Sequence, residues 1–154
     1  MTFSSPRRWL VLALLAAPVA WAGLGEAEGS IEGERAHMHA EHAVNRAAQY
    51  VVHELKTADG SRVRQYVSGN GRVFAVSWTT LYKPDLSSLL GSSFPAYSDA
   101  AQTAAQRGGI QRQFRHEGTD LVVQSSGHLN VYRGYAYRPS LLPRGLSVQA
   151  LGQG

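Results

Sequence analysis

The chain has 154 residues, a formal charge of +4 and no cysteine. That length suits one domain, and the absence of thiols excludes disulfides, thiol nucleophiles, cysteine-ligated zinc and iron–sulfur clusters. Packing and backbone pairing must supply the stability.

Arg7 and Arg8 precede an apolar run from Trp9 to Val19, and Ala20-Trp21-Ala22 places small residues at the two positions a signal peptidase reads. The pattern predicts a Sec-type signal peptide over 1–22. The apolar run of about a dozen residues is shorter than the roughly 20 a membrane anchor needs. The sequence thus predicts a periplasmic or secreted protein with no stable membrane span after cleavage. Arg7 and Arg8 leave with the signal, so the remaining chain is only mildly basic. The charge is also uneven: Glu26, Glu28, Glu32, Glu34 and Glu41 crowd the new N-terminus, while arginines are spread from Arg62 onward.

Residues 23–48 are polar and interrupted by Gly25, Gly29 and Gly33, which predicts an extended, partly flexible arm. Residues 49–154 then form a single domain. Tyr50 to Lys56 alternates, with Val51 and Leu55 on one side and His53 between them. Asp59-Gly60 offers a tight turn into Arg62–Ser68, and Asn70-Gly71 offers another into Arg72–Trp78. This makes a three-strand meander. In its third strand Phe74, Val76 and Trp78 are expected on one face and Val73, Ala75 and Ser77 on the other. A strand apolar on both faces belongs centrally in a sheet.

After Trp78 the chain leaves the sheet. Lys83-Pro84-Asp85 predicts a helix start, Leu86, Leu89 and Leu90 fall at helical spacing, and Gly91 can end the turn. A second helix, Ala96 to Arg107, has a weak apolar face and is expected to be partly exposed. Gln111–His116 and Asp120–Gln124 form a hairpin, and Ser126-Gly127 is expected to turn into a last strand, His128–Arg138. Leu141, Leu142, Leu146 and Val148 should pin the tail to the body. The predicted class is α+β, with a mainly antiparallel sheet: a three-strand meander, a helical insert, then a second set of strands.

The strongest chemical lead is His37, His39 and His42, since neutral imidazoles ligate zinc, copper or nickel. On a helix His39 and His42 share a face, on a strand His37 and His39 do, and neither conformation presents all three. Ser125-Ser126-Gly127-His128 places hydroxyls near an imidazole, but a triad needs a three-dimensional arrangement and no GxSxG elbow is present. No phosphate-binding glycine motif occurs, and exposed aromatics are not interleaved with bases as nucleic-acid binding would require. No cofactor and no nucleic-acid partner are expected.

Several stretches together resemble one known family. They are Leu24-Gly25, Tyr50-Val51-Val52-His53-Glu54, Gly71 to Trp78, Pro84-Asp85-Leu86 with Leu89-Leu90-Gly91, Asp120 to Val123, Ser126-Gly127-His128, and Ala136 to Pro139 with Leu142-Pro143. The family is the exported bacterial one known as domain of unknown function 2844. The resemblance implies export from a Gram-negative cell but no assigned activity or catalytic residue. One departure stands out: Thr79-Thr80-Leu81-Tyr82 follows Trp78 where the resemblance implies Gly-Pro. Three functional readings follow. The first is a non-enzymatic binding or accessory protein that engages a protein, peptide or glycan through a surface including Trp78, Tyr82, Asp85 and His128. The second is a hydrolase or metal-dependent enzyme, and the third a structural component of an exported assembly.

Overall fold

The computed structural model describes residues 23–108 and 112–151; the predicted signal peptide lies outside them. The strands are β1 (Glu41–Arg46), β2 (Tyr50–Lys56), β3 (Arg62–Ser68), β4 (Val73–Thr80), β5 (Gln113–Glu117), β6 (Val122–His128) and β7 (Val131–Tyr137). They form one antiparallel sheet in the order β1-β2-β3-β4-β7-β6-β5. The helices are α1 (Ile31–Met38), α2 (Leu86–Leu90) and α3 (Phe94–Gln106). The α+β class holds, with α2 and α3 inserted between two sets of strands.

Both meander turns form where the sequence places them, with positive φ at Gly60 and Gly71. The Asp59 and Asn70 carboxyl and amide oxygens accept backbone N–H groups two residues on, from Ser61 and Arg72. β4 lies mid-sheet, with three strands on either side. Its central place reflects apolar side chains on both faces. One core joins Leu55, Val63, Val67, Val73, Val76, Trp78, Val123 and Ala136 to the N-terminal segment and α2. The other joins Tyr66, Phe74 and Ala75 to Leu141, Leu142, Leu146, Val148 and Leu151 of the tail. We call these the helix face and the tail face.

Three expectations need correction. Phe74 faces the tail and not, as its alternation implies, the side of Val76 and Trp78. The β3–β4 register shifts between Tyr66 and Val67, so that Val67 pairs with Val73 but Tyr66 with Ala75. A bulge at this point flips side chains that strict period-two reading assigns to the other face. Phe74 there packs against Tyr50 and Tyr66, with ring centroids 6.0 and 6.2 Å away.

Ser126-Gly127 is not a turn. β6 runs through to His128, and the reversal is made by Leu129 and Asn130, at φ 48° and 62°. Gly127 lies beside the Tyr132 ring and marks close cross-strand packing.

The N-terminal segment is not a loose arm. Gly25 N–H donates to the Val73 carbonyl at 2.8 Å, Val73 N–H to Glu26 O at 2.9 Å, and Glu28 N–H to Gly71 O at 2.9 Å. Leu24 and Ile31 are fully buried; each such side chain contributes about 1.5–3 kcal/mol relative to exposure. Gly23 is pressed so closely on α2 that a Cβ there would meet the Ser88 carbonyl oxygen at 2.3 Å. The next residues form α1, and Glu41–Arg46 adds a strand to the edge of the sheet. All six β1 residues are exposed, so the strand carries no apolar alternation by which sequence could reveal it.

Candidate functional site

The two halves of the helix face are covered unequally. The N-terminal segment, α1 and α2 seal β2, β3 and β4. Over β5, β6 and β7 lies α3, which buries none of its residues. It touches the sheet through Tyr97, whose ring stands edge-on to Phe114 at 5.3 Å. Elsewhere the facing side chains are short: Ala101 and Ala105 on the helix, Ser125 and Gly127 on β6. The space left between them is a groove of about 650 Å³. Trp78 forms its floor, and Tyr97, Phe114 and Tyr132 its walls. Lys83, Arg112, His128 and Asn130 lie along its rim.

Gly134 sets the floor. It pairs with Trp78 across β4 and β7, and a Cβ on it would lie 2.4 Å from the indole Cζ2 and 2.5 Å from the Gln124 carbonyl oxygen. The indole packs against this glycine and is 3% exposed. Among the described residues, none that lines the groove is a carboxylate, whereas Lys83 and Arg112 are both cationic. Such a lining suits an apolar ligand that carries negative charge. Among the described residues, no hydrogen bond joins the Ser125 or Ser126 hydroxyl to the His128 imidazole, so the adjacent Ser and His residues are not assembled as a nucleophile and base.

Of the four residues predicted for a binding surface, Trp78 and His128 line the groove. Tyr82 stands beside it, 72% exposed, in a shallow depression shared with Leu81 and Leu129. Asp85 has a local duty. Its Oδ1 accepts the Ser87 N–H at 3.0 Å and the Ser88 N–H at 3.3 Å, capping α2. Hydrogen bonds from Ser87 lower its pKa, the largest cause, with Ser88 N–H adding to the effect. Sequence alone did not place Tyr97, Phe114 and Tyr132 around one space. Only the strand order, which brings β7 between β4 and β6, puts them there.

The three histidines do not converge. α1 ends in a left-handed residue at His39, φ 50°, and β1 starts two residues later, so the side chains diverge. His37 lies near Glu34 and Asp85. His42 instead turns to β2, where its Nε2 is 2.9 Å from His53 Nδ1; His53 Nε2 is 2.9 Å from Glu28 Oε1. Among the described residues, no group of three or more His, Asp or Glu side chains is gathered to hold a metal. Sequence reading singled out neither His53 nor Glu28. The available signal was the imidazole on the inward, apolar side of β2.

The pattern of strands, turns and α2 extends over nearly the whole described chain, and a family match covers residues 20–151. The chain belongs to the family described as Protein of unknown function (DUF2844). The match takes in every strand of the DUF2844 fold described above, both walls of the groove and the docked N-terminal segment. The departure after Trp78 falls on the rim: β4 continues through Thr79 and Thr80, Thr80 Oγ1 donates to the Tyr82 carbonyl at 2.7 Å, and Leu81 N–H donates to Ser61 Oγ at 3.1 Å. Those bonds hold Leu81 and Tyr82 in their exposed positions. No curated protein and no solved structure matches the chain. Among the described residues, no helix is long and apolar enough to cross a membrane.

Proposed function

We propose that this DUF2844 protein is a non-enzymatic binding protein, acting in the periplasm or after secretion, that holds an extended peptide segment of a partner in the groove beneath α3. The observation that carries this reading is the lining: among the described residues, aromatic side chains around a space of about 650 Å³, two cations and no carboxylate. The bound segment carries an apolar side chain, which rests on Trp78 and Phe114, and a carboxylate, which meets Lys83 or Arg112. The cations orient the segment and speed its encounter; burial of the apolar side chain supplies most of the affinity. The signal-peptide pattern supports the location, and N-terminal sequencing of the exported protein should begin at Gly23.

From Gly23 onward Trp78 is the only tryptophan, so intrinsic fluorescence reports on the groove floor. A library of acidic, apolar peptides titrated against the exported form should yield binders that shift this emission. Ala101→Phe fills the groove and should abolish the shift while leaving the melting temperature unchanged. Arg112→Glu should weaken acidic peptides selectively. Binding that ignores both substitutions removes the groove from the function, and catalytic turnover in a hydrolase screen would replace this reading with an enzymatic one.

A further inference from the structure

The hydrogen-bonded series Glu28–His53–His42 lies away from the groove, at the opposite end of the sheet. The register pairs Val44 with His53 and His42 with Leu55. The two imidazoles are therefore diagonal neighbours on the helix face, one strand apart, with ring centroids 5.1 Å apart. His53 is 6% exposed, and His42 is exposed on the edge strand.

The contacts fix the tautomers. The Glu28 carboxylate can only accept, so His53 Nε2 carries the proton and donates it. In the neutral imidazole His53 Nδ1 then keeps a lone pair, which accepts the His42 Nε2–H. One proton thus bridges two nitrogens that both face the same point. Two nitrogens each about 2.0 Å from a tetrahedral zinc ion sit about 3.3 Å apart. The observed 2.9 Å needs to open by a few tenths of an ångström, and the two rings, now nearly end to end, must tilt so that both lone pairs meet at the ion.

We infer that His42 Nε2 and His53 Nδ1 form a two-imidazole site for a divalent transition cation, Zn²⁺ or Cu²⁺, with Glu28 holding His53 in its ligating tautomer. The cation takes the place of the bridging proton, which moves to His42 Nδ1, so neutral imidazoles bind without net proton release. Water completes the coordination on the open, edge-strand side. Two features support the site. The carboxylate–histidine contact is the arrangement that orients ligating imidazoles and raises their basicity. Glu32 also lies close enough to favour positive charge at His42, opposed by Arg35. The site is independent of peptide binding in the groove.

Calorimetry of the exported protein with ZnCl₂ and CuCl₂ tests this, paired with the electron paramagnetic resonance spectrum of the Cu²⁺ form. One ion per chain should bind, with a dissociation constant on the order of micromolar, and the spectrum should show two equatorial imidazole nitrogens. His42→Asn should remove binding; His42 is exposed, so the fold survives. Glu28→Gln should weaken binding about 10- to 100-fold, with the metal-free melting temperature recorded beside it. His37→Asn and His39→Asn should change nothing. Wild-type binding weaker than about 50 µM overturns the proposal and leaves the pair bridged by a proton alone. Binding that depends on His37 or His39, or that survives Glu28→Gln undiminished, overturns it as well.

Discussion

Alanine at Gly134 tests the construction of the groove floor. In a strand interior glycine is ordinarily the worse choice, and Gly→Ala should gain roughly 0.5–1 kcal/mol from the unfolded state. Here the added methyl group would lie 2.4 and 2.7 Å from two indole atoms of Trp78 and 2.5 Å from the Gln124 carbonyl oxygen. Overpacking of this kind costs about 1–3 kcal/mol. Three contacts, one of them backbone, put the cost at the upper end, so Gly134→Ala should lose about 2 kcal/mol net. Trp78→Ala alone should lose about 3–5 kcal/mol, because the indole is buried. The double variant should be better than the sum by about 1 kcal/mol or more, since two of the three close contacts disappear with the indole while the Gln124 contact stays. Urea unfolding followed by far-ultraviolet circular dichroism measures all four proteins without relying on tryptophan emission. A Gly134→Ala protein as stable as the wild type, or strictly additive losses, would refute the account of why glycine stands opposite Trp78.

Two further predictions concern the N-terminal segment. Gly23→Ala should unseat it, because Gly23 has φ 142° and its Cβ would strike the Ser88 carbonyl oxygen; hydrogen exchange at the Leu24, Gly25 and Glu28 amides should accelerate, and unchanged protection would sink the argument. Glu34, on the buried side of α1, has its pKa raised above the ordinary 4.5 by burial, opposed by the Ser88 hydroxyl that donates to it and by His37. Folding therefore favours the protonated acid: the penalty is absent below the unfolded value near 4.5 and grows as pH rises through the folded value. Glu34→Gln keeps an acceptor for Ser88 and should raise the urea midpoint at pH 7 while leaving it unchanged at pH 4. Equal shifts at both values would show that the carboxylate is not the source.

What sequence revealed of the fold follows from where local chemistry decides conformation. β2 and β3 could be read residue by residue because alternation and an Asp-Gly or Asn-Gly turn act within a few positions. α2 could be read from Pro84, Asp85 and Gly91 for the same reason. β1 could not, because an edge strand exposed on both faces needs no apolar residue, and its pairing with β2 is a tertiary fact. The same holds for Gly23–Glu28. Its glycines are not breaks in an arm: Gly23 and Gly25 let the backbone lie against α2 and β4, and only the partner surfaces make that visible. Leu129 misled for the opposite reason. A leucine at positive φ is uncommon, so local preference placed the turn three residues early, at Ser126-Gly127.

The candidate sites divide along the same line. Trp78 was legible as an important residue, since it ends a strand apolar on both faces, but its role depends on Gly134, more than 50 residues downstream in sequence. The groove exists because small residues on α3 face small residues on β6, and neither set signals anything alone. The histidines show the limit most clearly. Crowding in sequence drew attention to His37, His39 and His42, yet a left-handed residue and a strand start turn them apart. His53 reaches His42 from a different strand, with Glu28 on its other nitrogen. Ligand geometry is set by diagonal neighbours across a sheet, and spacing along one strand carries no trace of it. A search for such sites in related chains should therefore compare cross-strand neighbours, the diagonal pair 42 and 53 and the directly paired 78 and 134, in preference to runs of one residue type.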